Sequence, residues 1–552
     1  MFDKLPNEII TLIFSHLTTI KDIIHFASVD KRLYLFFKAS DAITLPIVSL
    51  SNLPLIAYFT SGDKKILSIQ EYLTISETID VRFELMFDFW YDKITYLSYD
   101  YNSLQMKHKY IKNANHCFEK NETFHKFRKL NKLIVTYDNH KTKKLKLPST
   151  VKHFESDEYD FDGGDSLKTL KVGLKKYSIQ QKINFKIDLT TITHFEFCAS
   201  NYNIPDLKSM VNLRILHIND YYDDNEILIL PYGLEVFSGY NGTYELPNTI
   251  HTLSMFIQSS RVNNPILNLR LRKLSVLISC HGFYNLQNDY VNELSIIFTL
   301  GFNDQCLLHF PNVKNIHLIF DFYEPLQKIN FTMYLLNQYT ELDFLKIYDG
   351  ELNYWRVIDA TFLKLKKFEI NSSYAGIFIS HFHSYFTSPS SKKVKFDTSR
   401  IPSTTKNFIF KNHSGHSAST FNLPNLEYLE LLLSRSETKY YPKIIHKDID
   451  CIKMKYYGVD TCDLSQFTCR IFICDNEHDV VVKPPQGYSV LKLHNTILRP
   501  HFIHENLETI ILDNECKIKE CDLMNVKEVT LSKCLDISRL SYCSSCNITF
   551  IN

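Results

Sequence analysis

Glycine and tryptophan are scarce in this chain, at 14 and 2 among 552 residues. So few glycines exclude a glycine-rich architecture, and loops that need positive φ must be few or be served by Asn and Asp. An excess of one charge is missing too, since 62 Lys and Arg face 61 Asp and Glu, for a net charge of +1. That balance gives no global pull toward nucleic acid or an anionic membrane. No apolar run reaches the roughly 18 residues of a membrane span. No charged-then-apolar leader with a small-residue cleavage site opens the sequence. The 13 cysteines are an odd number, loosely spread, and without a secretory signal they read as reduced thiols. Together these absences imply a protein of the cytoplasm or nucleus. Catalytic signatures are lacking as well: there is no phosphate-binding Gly-rich loop, no G-x-S-x-G and no H-E-x-x-H. The sequence points to no enzyme and to no cofactor.

What is present is a repeat in a chain of ordinary globular composition, 45% hydrophobic and 22% charged. Leu130-Asn131-Lys132-Leu133-Ile134-Val135 has the form LxxLxL. It returns at Leu167–Val172, Leu213–Ile218, Leu271–Val276, Leu342–Ile347, Leu426–Leu431, Leu507–Leu512 and Val526–Leu531. The fourth positions run 133, 154, 170, 195, 216, 237, 253, 274, 294, 316, 345 and 368, then 408, 429, 452, 471, 491, 510, 529 and 548. A turn precedes several of them, as in Leu147-Pro148-Ser149-Thr150-Val151 and Leu230-Pro231-Tyr232-Gly233-Leu234. A period near twenty means that alternate residues of short strands share one core, which no unit can bury without neighbours above and below. Such a period and string are similar to a leucine-rich-repeat solenoid. The expected fold is therefore α/β: N-terminal helices, then parallel strands joined by mostly short, irregular, extended or 3₁₀ convex segments. Real helices are expected only in the longest gaps, 316–345 and 368–408. Ser388–Lys393 reads as an exposed loop there.

The first forty residues follow a different rule. Pro6 suits the first turn of a helix, where its missing N–H has no intrahelical partner. Ile9, Ile13 and Leu17, with Ile10 and Phe14 beside them, form a broad apolar stripe. Asp22 and Asp30 stand where they can cap two further helices. Three helices this short cannot bury that surface among themselves. Leu5-Pro6, Glu8-Ile9, Ile13-Phe14, Leu17, Asp22-Ile23, Ala27, Val29 and Lys31-Arg32-Leu33 resemble the F-box motif in order and spacing. One departure is visible: the family often has an aromatic shortly after the Lys-Arg pair, and here Tyr34 follows Leu33. The resemblance implies docking of a Skp-type adaptor, and through it cullin, by Leu5, Pro6, Ile9, Ile13, Phe14, Leu17, Ile23, Val29 and Leu33. It also implies a substrate-recognition subunit of an SCF-type ubiquitin ligase, with a non-catalytic F-box scaffold, such as a kinetochore-type assembly subunit, as the alternative. The domain reading is 1–42 for these helices, 43–125 for a connector with irregular first repeats, and 126–552 for the solenoid. Within the connector, Leu45–Leu50 and Ile94–Tyr99 read as strands and Asp80–Trp90 as a helix.

In such a solenoid the residue between the fourth and sixth positions faces the concave side. Those residues include Lys171, Glu196, His217, Ser275, His317, Lys346, Glu369, Glu430, Lys492 and Thr530, polar and mixed in sign. A protein partner fits them better than nucleic acid. The remaining candidates are weaker. Glu158–Gly163 imitates the start of a calcium loop, but Thr169 stands where a bidentate Glu is needed. Cys543-Ser544-Ser545-Cys546, with Cys516, Cys521 and Cys534, suggests zinc, yet the spacing is not that of a finger or ribbon. Cys546 alternates with Ile548 and Phe550 and is expected to face the core. His381, His383, His413 and His416 have no partner carboxylate or cysteine that the sequence can place. Lys141–Lys146 reads as a solvated basic loop.

Overall fold

The computed structural model describes residues 6–16, 26, 33, 35–36, 48–49, 54–59, 64–68, 81–85 and 96–100, then 129–136, 145–156, 161–172, 187–198, 207–219, 227–239 and 243–250. Beyond these it describes 251–257, 266, 268–278, 285–298, 307–320, 332–349, 359–371, 395–397, 401–412, 417–421, 423–433, 443–444, 448–456, 462–476, 482–513, 515–532, 535 and 538–551. The chain divides into two compact units, Met1–Ile250 and His251–Asn552.

In the first unit, short strands pair in parallel, each with the next along the chain. They are Val48–Ser49, Tyr96–Asp100, Lys132–Thr136, His153–Ser156, Thr169–Val172, His194–Cys198, Ile215–Asn219 and Val236–Gly239. The second unit repeats the arrangement from Thr252–Ile257 through Glu341–Asp349, Lys364–Asn371, Asn407–Asn412 and Tyr428–Leu433 to Asn547–Ile551. Alternation explains the strands. In Glu293–Phe298, Leu294, Ile296 and Phe298 are buried while Glu293, Ser295 and Ile297 stay half-exposed. Fourth-position residues such as Leu133, Leu170, Leu216, Leu274, Leu345, Leu429 and Ile510 are fully buried, each worth about 1.5–3 kcal/mol.

A tight turn sets the phase of many of the described strands. The N–H of the apolar residue that opens the repeat donates to the carbonyl three residues earlier, as from Val151 to Pro148, Leu234 to Pro231, Leu426 to Leu423 and Val526 to Leu523. One carbonyl then receives two N–H groups from the following unit. Lys152 and His153 donate to Asn131 O, Lys168 and Thr169 to Lys152 O, and Glu427 and Tyr428 to Lys406 O. Shifting a strand by one residue would break these bonds and turn the apolar set outward.

The returning segments are extended, as expected, and go further by pairing with one another. Many of them are themselves short parallel strands: Leu145–Leu147 with Phe161–Gly163, Ile227–Ile229 with Thr243–Glu245, Asn285–Gln287 with Leu307–His309, and Cys521–Leu523 with Leu540–Tyr542. With roughly fifteen residues to go out and back, an extended return covers more distance per residue than a helix does. The described solenoid is therefore a β-solenoid. Leu189–Thr191, Leu207–Ser209 and Pro500–Phe502 supply the 3₁₀ turns that were expected. The long gap between 316 and 345 does hold a helix, at 332–336. Gly163, at φ +86°, ends one return strand, and a Cβ there would lie 2.8 Å from Leu147 O, so no other residue fits without a shift.

Two local readings are overturned. Val81–Leu85 is a strand, antiparallel to Pro54–Phe59, which also pairs with Lys64–Ser68. Val81, Phe83 and Leu85 alternate with Arg82 and Glu84, a period of two in place of the helix expected over Asp80–Trp90, whose other residues lie outside the described ones. The fourth position assigned to Ile471 belongs to Phe472, which pairs with Ile452 and is fully buried.

At the front, Asn7–His16 is an α-helix, opened by a bond from Ile10 N to Pro6 O. Of the two further expected helices only Phe26, Leu33, Leu35 and Phe36 fall among the described residues, all with helical backbone. Among the described residues no helix is long and apolar enough to cross a membrane.

Candidate docking face

The strands leave one face of each sheet toward the core and present the other as an open face. Pairing register lines up the residues named from the sequence. In the first unit Glu155, Lys171, Glu196 and His217 form one row, with His153, Thr169 and His194 in the row beside it. In the second unit His317, Lys346, Glu369, Ile409, Glu430, Lys453, Ile473, Lys492, Ile511 and Thr530 form the corresponding row. Ser275 lies in it as well, paired with Ser254 and Ser295.

These rows are not bare charge. Lys171 Nζ meets Glu196 at 2.7 Å, Lys453 meets Glu430 at 3.1 Å, and Lys455 meets Asp475 at 3.0 Å. Glu369 is only 4% exposed, with Lys346 Nζ at 3.1 Å and Lys411 Nζ at 3.0 Å. Burial opposes the Glu369 charge, but the two ammoniums outweigh it and hold the carboxyl below its ordinary range. Burial likewise works against Lys346, and its Tyr348 and Glu369 neighbours override that and raise its pKa. Its ammonium also sits 4.6 Å from the centre of the Tyr348 ring, and Lys367 sits 4.6 Å from that of Phe344. Tyr428 donates its hydroxyl to Glu430 at 3.0 Å.

Histidines mark the first unit. His194 and His217 lie with ring centres 5.6 Å apart, and His153 Nδ1 is 3.0 Å from Thr169 Oγ1. Burial depresses the pKa of all three; His217 adds to the effect on His194, and Lys132 and Lys152 add to it on His153. His317 in the second unit is depressed by burial and then by Lys346, and it packs edge-on to Phe344 at 5.4 Å.

The sequence reading picked out the polar members of the rows and missed the apolar ones. Leu277, Ile297, Ile319 and Tyr348 are paired across four successive strands, two residues beyond the polar row, and all are half-exposed. Ile473 and Ile511 flank Lys492. The signal was available in unbroken runs such as Ile296-Ile297-Phe298 and Leu318-Ile319-Phe320, where alternation alone would put a polar residue in the middle.

Among the adaptor residues, Ile9 is 42% exposed, Pro6 is exposed and Ile13 half-buried, whereas Leu33 is fully buried, as is Ile10 next to Ile9. Leu5, Leu17, Ile23 and Val29 lie outside the described residues, and the Phe14 side chain is likewise not described. His381, His383, His413 and His416 fall outside them too, as do Cys534, Glu158–Asp160, Lys141–Lys144 and Ser388–Lys393. Phe161–Gly163 is a strand of the returning row. Cys516 and Cys521 are buried, their thiols directed at Leu493 O and Leu498 O. Cys546 does not face a closed core: it is half-exposed, because Asn547–Ile551 leaves Ile548 half-exposed and Phe550 46% exposed. Among the described residues no three His, Cys, Asp or Glu side chains converge as metal ligands. No family model matches this chain, and a search of curated proteins returned no match.

Proposed function

We propose that this chain is the substrate-recognition subunit of an SCF-type ubiquitin ligase. In this reading the fold is an F-box of three helices followed by a degenerate leucine-rich-repeat solenoid. The front helices hold a Skp-type adaptor and, through it, cullin. The open face of the parallel sheets holds a protein substrate. Catalysis belongs to the other subunits, and this chain contributes proximity.

The observation that carries the reading is the F-box order of Leu5 to Leu33 in the sequence, supported by the Asn7–His16 helix, whose Ile9 is exposed while Ile10 beside it is buried. A helix that turned all its apolar residues inward would have no surface to offer an adaptor. For the substrate half, the support is the composition of the face. Its charges are largely neutralised within the chain, and half-exposed aliphatics and aromatics lie between them, a mixture suited to protein surfaces and poorly suited to phosphate backbones.

Changing Leu5 and Pro6 to Ala tests the adaptor half. The double variant is expected to lose adaptor co-purification while its far-UV circular dichroism stays that of the parent. Undiminished co-purification removes the proposal. Cullin travelling with the adaptor, and a protein that accumulates when the chain is lost, distinguish ubiquitin transfer from a non-catalytic scaffold.

A further inference from the structure

The turns that introduce the strands share a second property. In most of them the first and fourth side chains are both buried, as in Leu423 with Leu426, Leu464 with Phe467, and Leu523 with Val526. Cys543-Ser544-Ser545-Cys546 makes the same turn before Asn547–Ile551, with Cys546 N donating to Cys543 O at 3.0 Å. Two thiols therefore occupy the two positions that are both buried in most of the preceding turns. The ends of such a turn bring their Cα atoms within about 7 Å, and a disulfide spans roughly 4.4–6.8 Å. Both residues are half-exposed, and the Cys543 Sγ lies 3.1 Å from the Ser545 hydroxyl.

Small apolar filling is the other use of cysteine in these turns, and Cys516 and Cys521 show what it looks like. Those thiols are buried and directed at carbonyls of the preceding unit. Cys543 and Cys546 are more open, and they lie at the two ends of one turn.

We propose that Cys543 and Cys546 form a dithiol site that is reversibly oxidised to an intramolecular disulfide by small-molecule disulfides. The Cys543 thiolate attacks one sulfur of RSSR, expels RS⁻ and becomes a mixed disulfide. The Cys546 thiol gives up its proton to solvent and attacks the Cys543 sulfur, expelling the second RS⁻. The protein loses two electrons and two protons, and RSSR is reduced to two RSH. The order of attack follows from the surroundings. The Ser545 and Ser544 hydrogen bonds lower the Cys543 pKa, whereas burial and the adjacent Cys543 raise that of Cys546. The thiolate is the attacking species. Closing the ring ties the start of the exposed Asn547–Ile551 strand to the turn in front of it.

The test uses the full chain equilibrated with reduced and oxidised glutathione at several ratios, quenched in acid, alkylated and mapped by mass spectrometry. The expected product is two hydrogens lighter, with one linkage between Cys543 and Cys546 that reverts at reducing ratios. Cys546→Ser is expected to retain glutathione on Cys543, and Cys543→Ser to leave Cys546 unmodified over the same time. The proposal is overturned if the wild-type chain keeps both thiols at every ratio, or holds a stable glutathione adduct at Cys543. The wild-type map decides the matter even if a variant fails to fold.

Discussion

The open faces of the two units share one strand geometry and differ in how they handle charge. In the first, Lys171 and Glu196 pair directly and three histidines, His153, His194 and His217, lie beside them with depressed pKa values. In the second, Glu369 is enclosed by Lys346 and Lys411, and aromatic rings take up part of the lysine charge. The cores beneath are alike, since Phe195 and Phe368 are both fully buried and stack on Phe197 and Phe408 respectively. A repeat fixes what faces inward and leaves each unit free to set its outer chemistry.

The largest expected effect tests the shared part of that comparison. Phe195→Ala and Phe368→Ala should each destabilise their own unit by about 3–5 kcal/mol, read by hydrogen exchange in the strands around each site. A cost in one unit alone would mean the two cores are not equivalent. Next comes the difference between the faces. Glu369→Gln leaves two ammoniums at a buried position without their counter-charge and should cost about 2 kcal/mol. Glu196→Gln breaks a partly exposed pair and should cost under about 1 kcal/mol, both measured by denaturant titration.

Acid should then weaken both faces, at different pH. A histidine with a depressed folded pKa binds fewer protons folded than unfolded. Its contribution is fully present above about 6.5, the unfolded value, and is lost as pH falls through the lower folded value. The His194–Cys198 strand should therefore loosen before Lys364–Asn371, while His317 in the second unit, also depressed, should respond in the same range as the histidines of the first. Glu369, also depressed, contributes fully above its unfolded value of 4.5, and that contribution disappears only as pH falls through the lower folded value. Hydrogen exchange as a function of pH, followed separately in strands 194–198 and 364–371, would show the order; simultaneous loss would contradict it. The smallest effect is local. Removing the charge of a protonated neighbour by His217→Gln should shift the His194 titration upward in NMR, and an unmoved midpoint would show that the two rings are not coupled.

The strand phase was legible because a buried residue recurs at a fixed distance from a tight turn, which a leucine pattern displays directly. It failed at Ile471, where Ile471, Phe472 and Ile473 are all apolar and alternation gives no sign of which one turns inward. The second unit's face was half legible for the same reason: Lys346 and Glu369 stand out from their neighbours, while Ile297 and Ile319 do not. That Glu369 is buried could not be read from its position in the repeat. It depends on Lys411, which comes from a strand separated from it by the longest gap in the pattern. The returning strands were hidden because two or three extended residues carry no periodic signal. At the front, the helix from Asn7 agrees with the proline and the apolar stripe.

Lysine cross-linking of the full chain with a purified Skp-type adaptor tests the division of labour most directly. Adaptor cross-links are expected to concentrate on Lys4, Lys21, Lys31 and Lys38 and to leave Lys346, Lys453 and Lys492 on the open sheet untouched. Cross-links that fall on the sheet lysines instead, or a folded chain that captures no adaptor, would contradict it.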